Sequence, residues 1–80
     1  MKARVHVTLK HGVLDPQGVA IRNALTTLGF SGVDEVRAGR LIELELSESD
    51  PAKAKAAVEE MCRKLLVNDV IETYAVELGS

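Results

Sequence analysis

Lys10-His11-Gly12-Val13-Leu14-Asp15-Pro16-Gln17-Gly18 is the stretch that decides the fold, because it fixes where a first strand stops and a first helix starts. The Asp15 carboxylate suits a helix N-cap, where it accepts orphan backbone N–H groups, and Pro16 suits the first helical position, where no N–H is needed. Leu14 before the cap and Val19 four positions after it are spaced for a hydrophobic staple. Gly18 then breaks a local rule. Inside a first turn it costs roughly 1 kcal/mol against alanine, so it points to close approach by another group or to a special backbone angle. The rival reading is a plain helix start that tolerates glycine; on either reading Gly18→Ala is expected to leave the isolated fold as stable or slightly more so, provided its φ is helical, and to matter for partner docking instead.

Working outward, Val5, Val7 and Leu9 alternate with Arg4, His6 and Thr8, the period of a half-buried strand. Ile21, Ala24, Leu25 and Leu28 recur at helical spacing, with Gly29 as the stop. Val33 and Val36 lead into Arg37-Ala38-Gly39-Arg40, a turn whose glycine can take a positive φ. Ile42, Leu44 and Leu46 alternate with Glu43 and Glu45 in a strand over Leu41–Leu46. A second Asp-Pro pair, Asp50-Pro51, opens a second helix, with Ala54, Ala57, Val58, Met61 and Leu65 as its buried stripe. Asn68-Asp69 breaks that pattern, and a last strand runs from about Val70 to Leu78. One domain thus spans 1–78, and Gly79-Ser80 reads as a disordered tail or cloning remnant.

The order β-α-β-β-α-β predicts an α+β, ferredoxin-like sandwich: a four-stranded antiparallel sheet, order 4-1-3-2, with two helices on one face. Arg4 and His6 then lie on a central strand, flanked by Glu43, Glu45 and Glu77 on the face away from the helices, where cross-strand pairs hold the surface together. That open face is the expected place for dimerisation.

Eighty residues make one domain, and a chain of this size buries only about 60% of the surface it exposes when unfolded. Phe30 and Tyr74 are its only aromatics and it has no Trp, so the core is aliphatic and thin, which favours oligomerisation. A formal net charge of −2 gives no electrostatic footprint for nucleic acid or an anionic membrane. Cys62 is the single cysteine, so no intrachain disulfide forms and a cytoplasmic setting is expected. The N-terminus lacks the apolar segment of a signal peptide, and no apolar run approaches the ~20 residues of a membrane span.

Catalysis needs a nucleophile or an acid–base pair with an orienting partner. Cys62 lies on the second helix's stripe beside Met61 and reads as a buried structural thiol. His6 points to the open face, toward a glutamate, and His11 sits in a solvated loop. No His, Cys and carboxylate cluster has metal-site spacing. The first helix start, with Lys10 nearby, offers weak anion-binding character. RNA binding on the sheet requires aromatics that the central strands lack. Gln17-Gly18-Val19-Ala20-Ile21-Arg22, followed by Leu28-Gly29-Phe30-Ser31-Gly32, resembles the acylphosphatase pattern, in which Arg22 would clamp phosphate. It departs from that family at Asp15-Pro16, where free N–H donors are needed, and near Val36, where an Asn is needed. A small-molecule-sensing regulatory domain of the same fold is the other alternative.

Over nearly its whole length, Met1 to about Leu78, the chain closely resembles the PurS family. The residues that carry the resemblance are Lys10 with Gly12-Val13-Leu14-Asp15-Pro16-Gln17-Gly18, Ala24-Leu25, Leu28-Gly29-Phe30 and Val36-Arg37-Ala38-Gly39-Arg40. Cys62-Arg63-Lys64-Leu65-Leu66-Val67-Asn68 running into Val70-Ile71-Glu72-Thr73-Tyr74 adds to it. Arg40 stands where the family often has Lys, and Asp69 where it often has Pro. The resemblance implies a homodimeric, non-catalytic accessory subunit of phosphoribosylformylglycinamidine synthase, an ATP- and glutamine-dependent C–N ligase of purine biosynthesis. It implies that the subunit joins a synthetase, PurL, to a glutaminase, PurQ, so that glutamine-derived ammonia amidates formylglycinamide ribonucleotide. It further implies that no cofactor or metal binds this chain, ATP and Mg being used by the synthetase, and that neither nucleic acid nor membrane is a partner. The expected partner-binding residues are Lys10, Gly12, Val13, Leu14, Asp15, Pro16, Gln17, Gly18, Arg37, Gly39, Arg40, Asn68, Ile71 and Glu72.

Overall fold

Alternation along β1 (Lys2–Leu9) buries Ala3, Val5 and Val7 on one face and leaves Lys2, Arg4, His6 and Thr8 on the other, in a computed structural model that describes residues 1–79. The remaining elements are α1 (Pro16–Thr27), β2 (Arg40–Glu45), α2 (Pro51–Met61) and β3 (Glu72–Gly79), with a π-helical turn over Cys62–Leu66 at the end of α2. The strands form an antiparallel sheet in the order β2-β1-β3. Val5 lies opposite Ile42 and Val76, and Arg4 opposite Glu43 and Glu77. Gly79 ends β3 opposite Lys2 and so belongs to the sheet rather than to a tail; Ser80 lies outside the described residues.

Three strands stand where four were expected. The 4-1-3 part of the predicted order is present, but among the described residues Val33–Val36 forms no strand. The reason lies in what that segment contacts. The Ala38 N–H donates to the Asp15 carboxylate at 2.7 Å, the Val36 carbonyl abuts Gly18, and the Asp34 carbonyl accepts from the Arg22 guanidinium at 3.5 Å. Backbone groups that a strand would pair with a neighbour are turned toward α1 instead.

The helices also depart from expectation, because among the described residues it is α2 that packs on the sheet. Ala54, Val58 and Cys62, one turn apart, are fully buried, and Val58 and Cys62 join Ala3, Val5, Val7 and Val67 in one core cluster. The expected stripe fails at Ala57, Met61 and Leu65, which are exposed, Leu65 to 84%. In the π turn the Val67 N–H reaches back five residues to the Cys62 carbonyl, at 3.1 Å. That wider turn advances the phase, so Leu66 and Val67 turn inward and Leu65 turns out. Helix α1 stands away from the sheet and buries only Gly18; Ile21, Ala24 and Leu28 are exposed. Leu14 and Val19 are exposed as well, so the staple spacing produces no buried contact.

Two glycines settle local questions. Gly29, at φ +99°, ends α1 as expected. Gly39 has no positive φ; it is required because a Cβ there would lie 2.5 Å from the Val7 carbonyl oxygen. The close-approach reading of Gly18 holds too, since an added Cβ would overlap the Val36 carbonyl oxygen and come within 2.9 Å of the Asp15 carboxylate. This overturns the expectation that Gly18→Ala is neutral or stabilising: the variant should lower Tm, despite gaining about 1 kcal/mol of helix propensity, because forced overlap with backbone costs typically 1–3 kcal/mol. Gly32→Ala, with open space around it, should leave Tm within about 2 °C of the parent, less than 1 kcal/mol shifts it in so small a domain. Melts of both variants followed by circular dichroism decide this; equal midpoints would show that α1 is not held against Val36.

Candidate functional site

At one end of the sheet, β1 finishes at Leu9 while β2 and β3 begin at Arg40 and Glu72, so three connections emerge side by side. The β1–α1 loop is drawn to the segment before β2 by Arg37, whose guanidinium donates to the carbonyls of Leu9 at 2.9 Å, Lys10 at 3.0 Å and Val13 at 3.4 Å. It meets the loop before β3 through the Lys10 N–H, which donates to the Ile71 carbonyl at 2.8 Å. That third loop is folded by Asn68: its side-chain oxygen accepts the Val70 N–H, and its carbonyl accepts the N–H groups of Ile71 and Glu72. The Glu72 carboxylate accepts the Asn68 N–H at 2.8 Å and a forked pair from Arg40, whose Nη2 also donates to the Leu66 carbonyl at 2.6 Å.

Asp15 is the buried charged group of this end, 7% exposed. Its carboxylate accepts the Gly18 N–H at 3.0 Å, as an N-cap does, and the Ala38 N–H at 2.7 Å. Those N–H donors, with the positive charge of Arg37 behind them, hold its pKa below the ordinary carboxylate value. The hydrogen bond from Arg40, then the one from the Asn68 N–H, holds Glu72 low in the same way, and Glu72 in turn raises Arg40.

The structure thus gathers the residues singled out from the sequence. Gly12, at φ +86°, makes the turn that returns the Val13 N–H to the Lys10 carbonyl. Pro16 occupies the start of α1 after the Asp15 cap. Gly18 and Gly39 allow backbones to close up. Arg37, Arg40, Asn68 and Glu72 are the ties, and Ile71 contributes the carbonyl that meets Lys10. The side chains of Lys10, Leu14 and Gln17 project outward. Sequence reasoning missed Val36, Ala38 and Leu66, which act through main-chain groups and carry no side-chain signal. It also placed Val70 in the last strand; the strand begins at Glu72, and Val70 is 81% exposed in the turn made by Asn68-Asp69.

A cleft of about 350 Å³ lies between α1 and the segment before β2, lined by Gly12, Asp15, Arg22, Asp34, Glu35 and Arg37 among others. Its charges are mixed, and Arg37 is already committed to carbonyls. The Asp15 carboxylate fills the place at the head of α1 where an anion would sit, which argues against phosphate chemistry there. Elsewhere, the Cys62 thiol is fully buried and its pKa is raised by that burial, so it stays protonated. His6 stands 3.7 Å from Glu77 on the open face, where Arg4 also bridges to Glu77 at 3.1 Å and Lys2 to Glu43 at 3.4 Å.

Because Asp15 and Glu72 have folded pKa values below their unfolded ones, the native state holds fewer protons there than the unfolded chain. Their contribution is present above the ordinary carboxylate range and is lost as pH falls through the depressed values, beginning below about pH 4.5. Melts between pH 2.5 and 7 should show a steep acid loss in the parent. The Asp15→Asn, Glu72→Gln double variant should melt lower at pH 7 and lose less on acidification. Parallel curves for the two proteins would show that neither carboxylate is linked to folding.

The model of the PurS family, phosphoribosylformylglycinamidine (FGAM) synthase, matches residues 2–80. The chain is 47% identical over 75 residues to the phosphoribosylformylglycinamidine synthase subunit PurS of Synechocystis sp., covering 94% of this chain and 75% of that one. Among solved structures, Bacillus subtilis PurS superposes with a TM-score of 0.87 at 44% identity, covering 99% of this chain and 98% of that one. A chain in the PurLQS structure from Thermotoga maritima gives a TM-score of 0.87 at 34% identity, with 95% and 93% covered. With a fold shared at that level and a match that runs through every one of the tied loops, the chain belongs to the PurS family of FGAM synthase.

Proposed function

We propose that this chain is the accessory subunit of an FGAM synthase in purine biosynthesis, a homodimer in the cytoplasm that holds a synthetase subunit, PurL, and a glutaminase subunit, PurQ, in register. The observation that carries this reading is the convergence of three loops into one hydrogen-bonded end of the sheet, with Lys10, Leu14, Gln17 and Val70 left facing outward. Loops tied at their bases present side chains with little entropy left to lose, which favours docking over turnover. The family match supports the choice of partners, since a relative of this chain is found in a PurLQS structure.

The physical need for such a subunit is plain. Ammonia released into water is protonated and diluted, whereas docking its source against its consumer raises its effective concentration. ATP and Mg would act on the synthetase, where the ligase chemistry is carried out, and this chain would contribute contacts alone. Lys10, Gly12, Val13, Leu14, Asp15, Pro16, Gln17, Gly18, Arg37, Gly39, Arg40, Asn68, Ile71 and Glu72 form or frame the docking surface. A protonated, buried Cys62 is consistent with a chain that supplies no nucleophile. A metabolite-sensing role would instead require a ligand site, and the mixed charge of the cleft beside α1 offers no single ligand class.

Reconstitution with the synthetase and glutaminase subunits tests the proposal. Adding the chain should raise glutamine-driven product formation severalfold and leave ammonia-driven formation by the synthetase nearly unchanged. Gln17→Ala, at an exposed position, should reduce the glutamine-driven rate without changing the melting temperature. Equal rates with and without the chain would sink the docking role.

A second expectation concerns chemistry. Cys62→Ala should leave glutaminase turnover intact in any complex that assembles, and a loss of that turnover with full assembly would make the thiol catalytic.

A further inference from the structure

The end of α2 carries two competing registers. Continued beyond Cys62 at about 3.6 residues per turn, the helix would set Leu65 and Leu66 on the side that buries Ala54, Val58 and Cys62, and would swing Val67 toward solvent. That is the stripe whose spacing in the sequence predicts a buried Leu65. The wide turn over Cys62–Leu66 gives the other arrangement: Leu65 is 84% exposed, Leu66 is half-buried, and Val67, 7% exposed, sits in the core. Leu65, Leu66 and Val67 are all aliphatic, so either neighbour of Leu66 can close that end of the core, and burial energy does little to separate the two.

Wide turns of this kind are rare, so a contact from outside the helix has to favour this one. The contact is a single ion pair. The Arg40 Nη2 donates to the Leu66 carbonyl at 2.6 Å, and the Glu72 carboxylate accepts the Asn68 N–H at 2.8 Å. Arg40 and Glu72 are salt-bridged to each other, so the residues on either side of Val67 are held by the two halves of one pair. In the regular register the Leu66 carbonyl and the Asn68 N–H would rotate with the backbone and leave these partners. The Arg40 side chain is 48% exposed at the end of the sheet where the tied loops meet, within reach of a carboxylate arriving from another protein.

We propose that residues 62–67 form a two-register element, latched in the wide-turn form by the Arg40–Glu72 pair, and that a partner carboxylate drawing Arg40 away releases the latch and turns Leu65 in and Val67 out. The partner's part rests on the docking reading given above; the latch itself does not. Through this element an event at the surface is felt in the core. It is also felt by the β1–α1 loop, because the turn runs on into the segment whose Ile71 carbonyl holds the Lys10 N–H.

The test reads thiol accessibility in the full chain. Leu65→Cys and Val67→Cys are made separately, treated with iodoacetamide and digested with trypsin, which leaves the new thiol in peptide 65–80 and Cys62 in peptide 56–63. With Arg40 present, the Leu65→Cys thiol should react about tenfold faster than the Val67→Cys thiol. With Arg40→Ala added, the order should reverse while Cys62 stays unmodified. An unchanged order would overturn the latch. Should Arg40→Ala expose Cys62 as well, the fold has opened, and Arg40→Lys, which keeps the charge without the fork, decides in its place. Finally, with Arg40 intact, adding the synthetase and glutaminase subunits should quicken the Val67→Cys thiol, which steric cover alone could only slow. No quickening in a complex that assembles would overturn the partner's part and leave the latch standing; failure to assemble would overturn the docking reading instead.

Discussion

The Asp15 carboxylate is the contact on which the rest of the arrangement depends. With one oxygen it caps α1 through the Gly18 N–H, and with the other it takes the Ala38 N–H from the segment before β2. A helix start and a strand start are thereby pinned to the same buried anion, and Arg37 beside it ties the end of β1 to them. An acceptor that satisfies two donors at once is costly to remove, since both N–H groups would lose their partner. The position of α1, the irregular path of residues 34–38 and the need for glycine at 18 all follow from this one bridge.

Around it the loops are held by a second kind of contact, in which arginines are used for their geometry. Arg37 spreads its donors over three carbonyls, and Arg40 divides its own between Glu72 and Leu66. A lysine at position 40 could keep the charge but not the fork, which needs two nitrogens fixed in one plane. The family resemblance pointed to Lys as the frequent residue there. In this chain the guanidinium lets β2, the π turn and the start of β3 share one residue.

What the sequence revealed and what it concealed divide by range. The strand at Val5, Val7 and Leu9, the cap at Asp15, the stop at Gly29 and the buried positions Ala54 and Val58 were legible because each depends on neighbours within a turn or two. The strand expected at Val33–Val36 was not, because Ala38, Val36 and Asp34 direct their backbone groups to a helix some twenty residues upstream. The stripe of α2 was legible at Ala54 and Val58, missed at Ala57, and lost from Met61 on, where one wide turn at Cys62 reassigns the later side chains. For the candidate site, residue identities were readable through resemblance, but the roles of Arg37 and Arg40 were not. Their partners are main-chain carbonyls, which look the same in every sequence.

The alternation of β2 has a consequence for behaviour at high concentration. This strand forms one border of the sheet, so a row of its backbone N–H and C=O groups is available to any matching segment. Such borders invite fibril growth when they are flat and apolar. Here Glu43 and Glu45 alternate with Ile42 and Leu44, and each glutamate would face its own copy if two such borders met in parallel register. Like charges opposed across a ladder destabilise the pairing. Glu43, which within the chain pairs with Lys2 and Arg4, thereby acts with Glu45 as a gatekeeper against open-ended stacking.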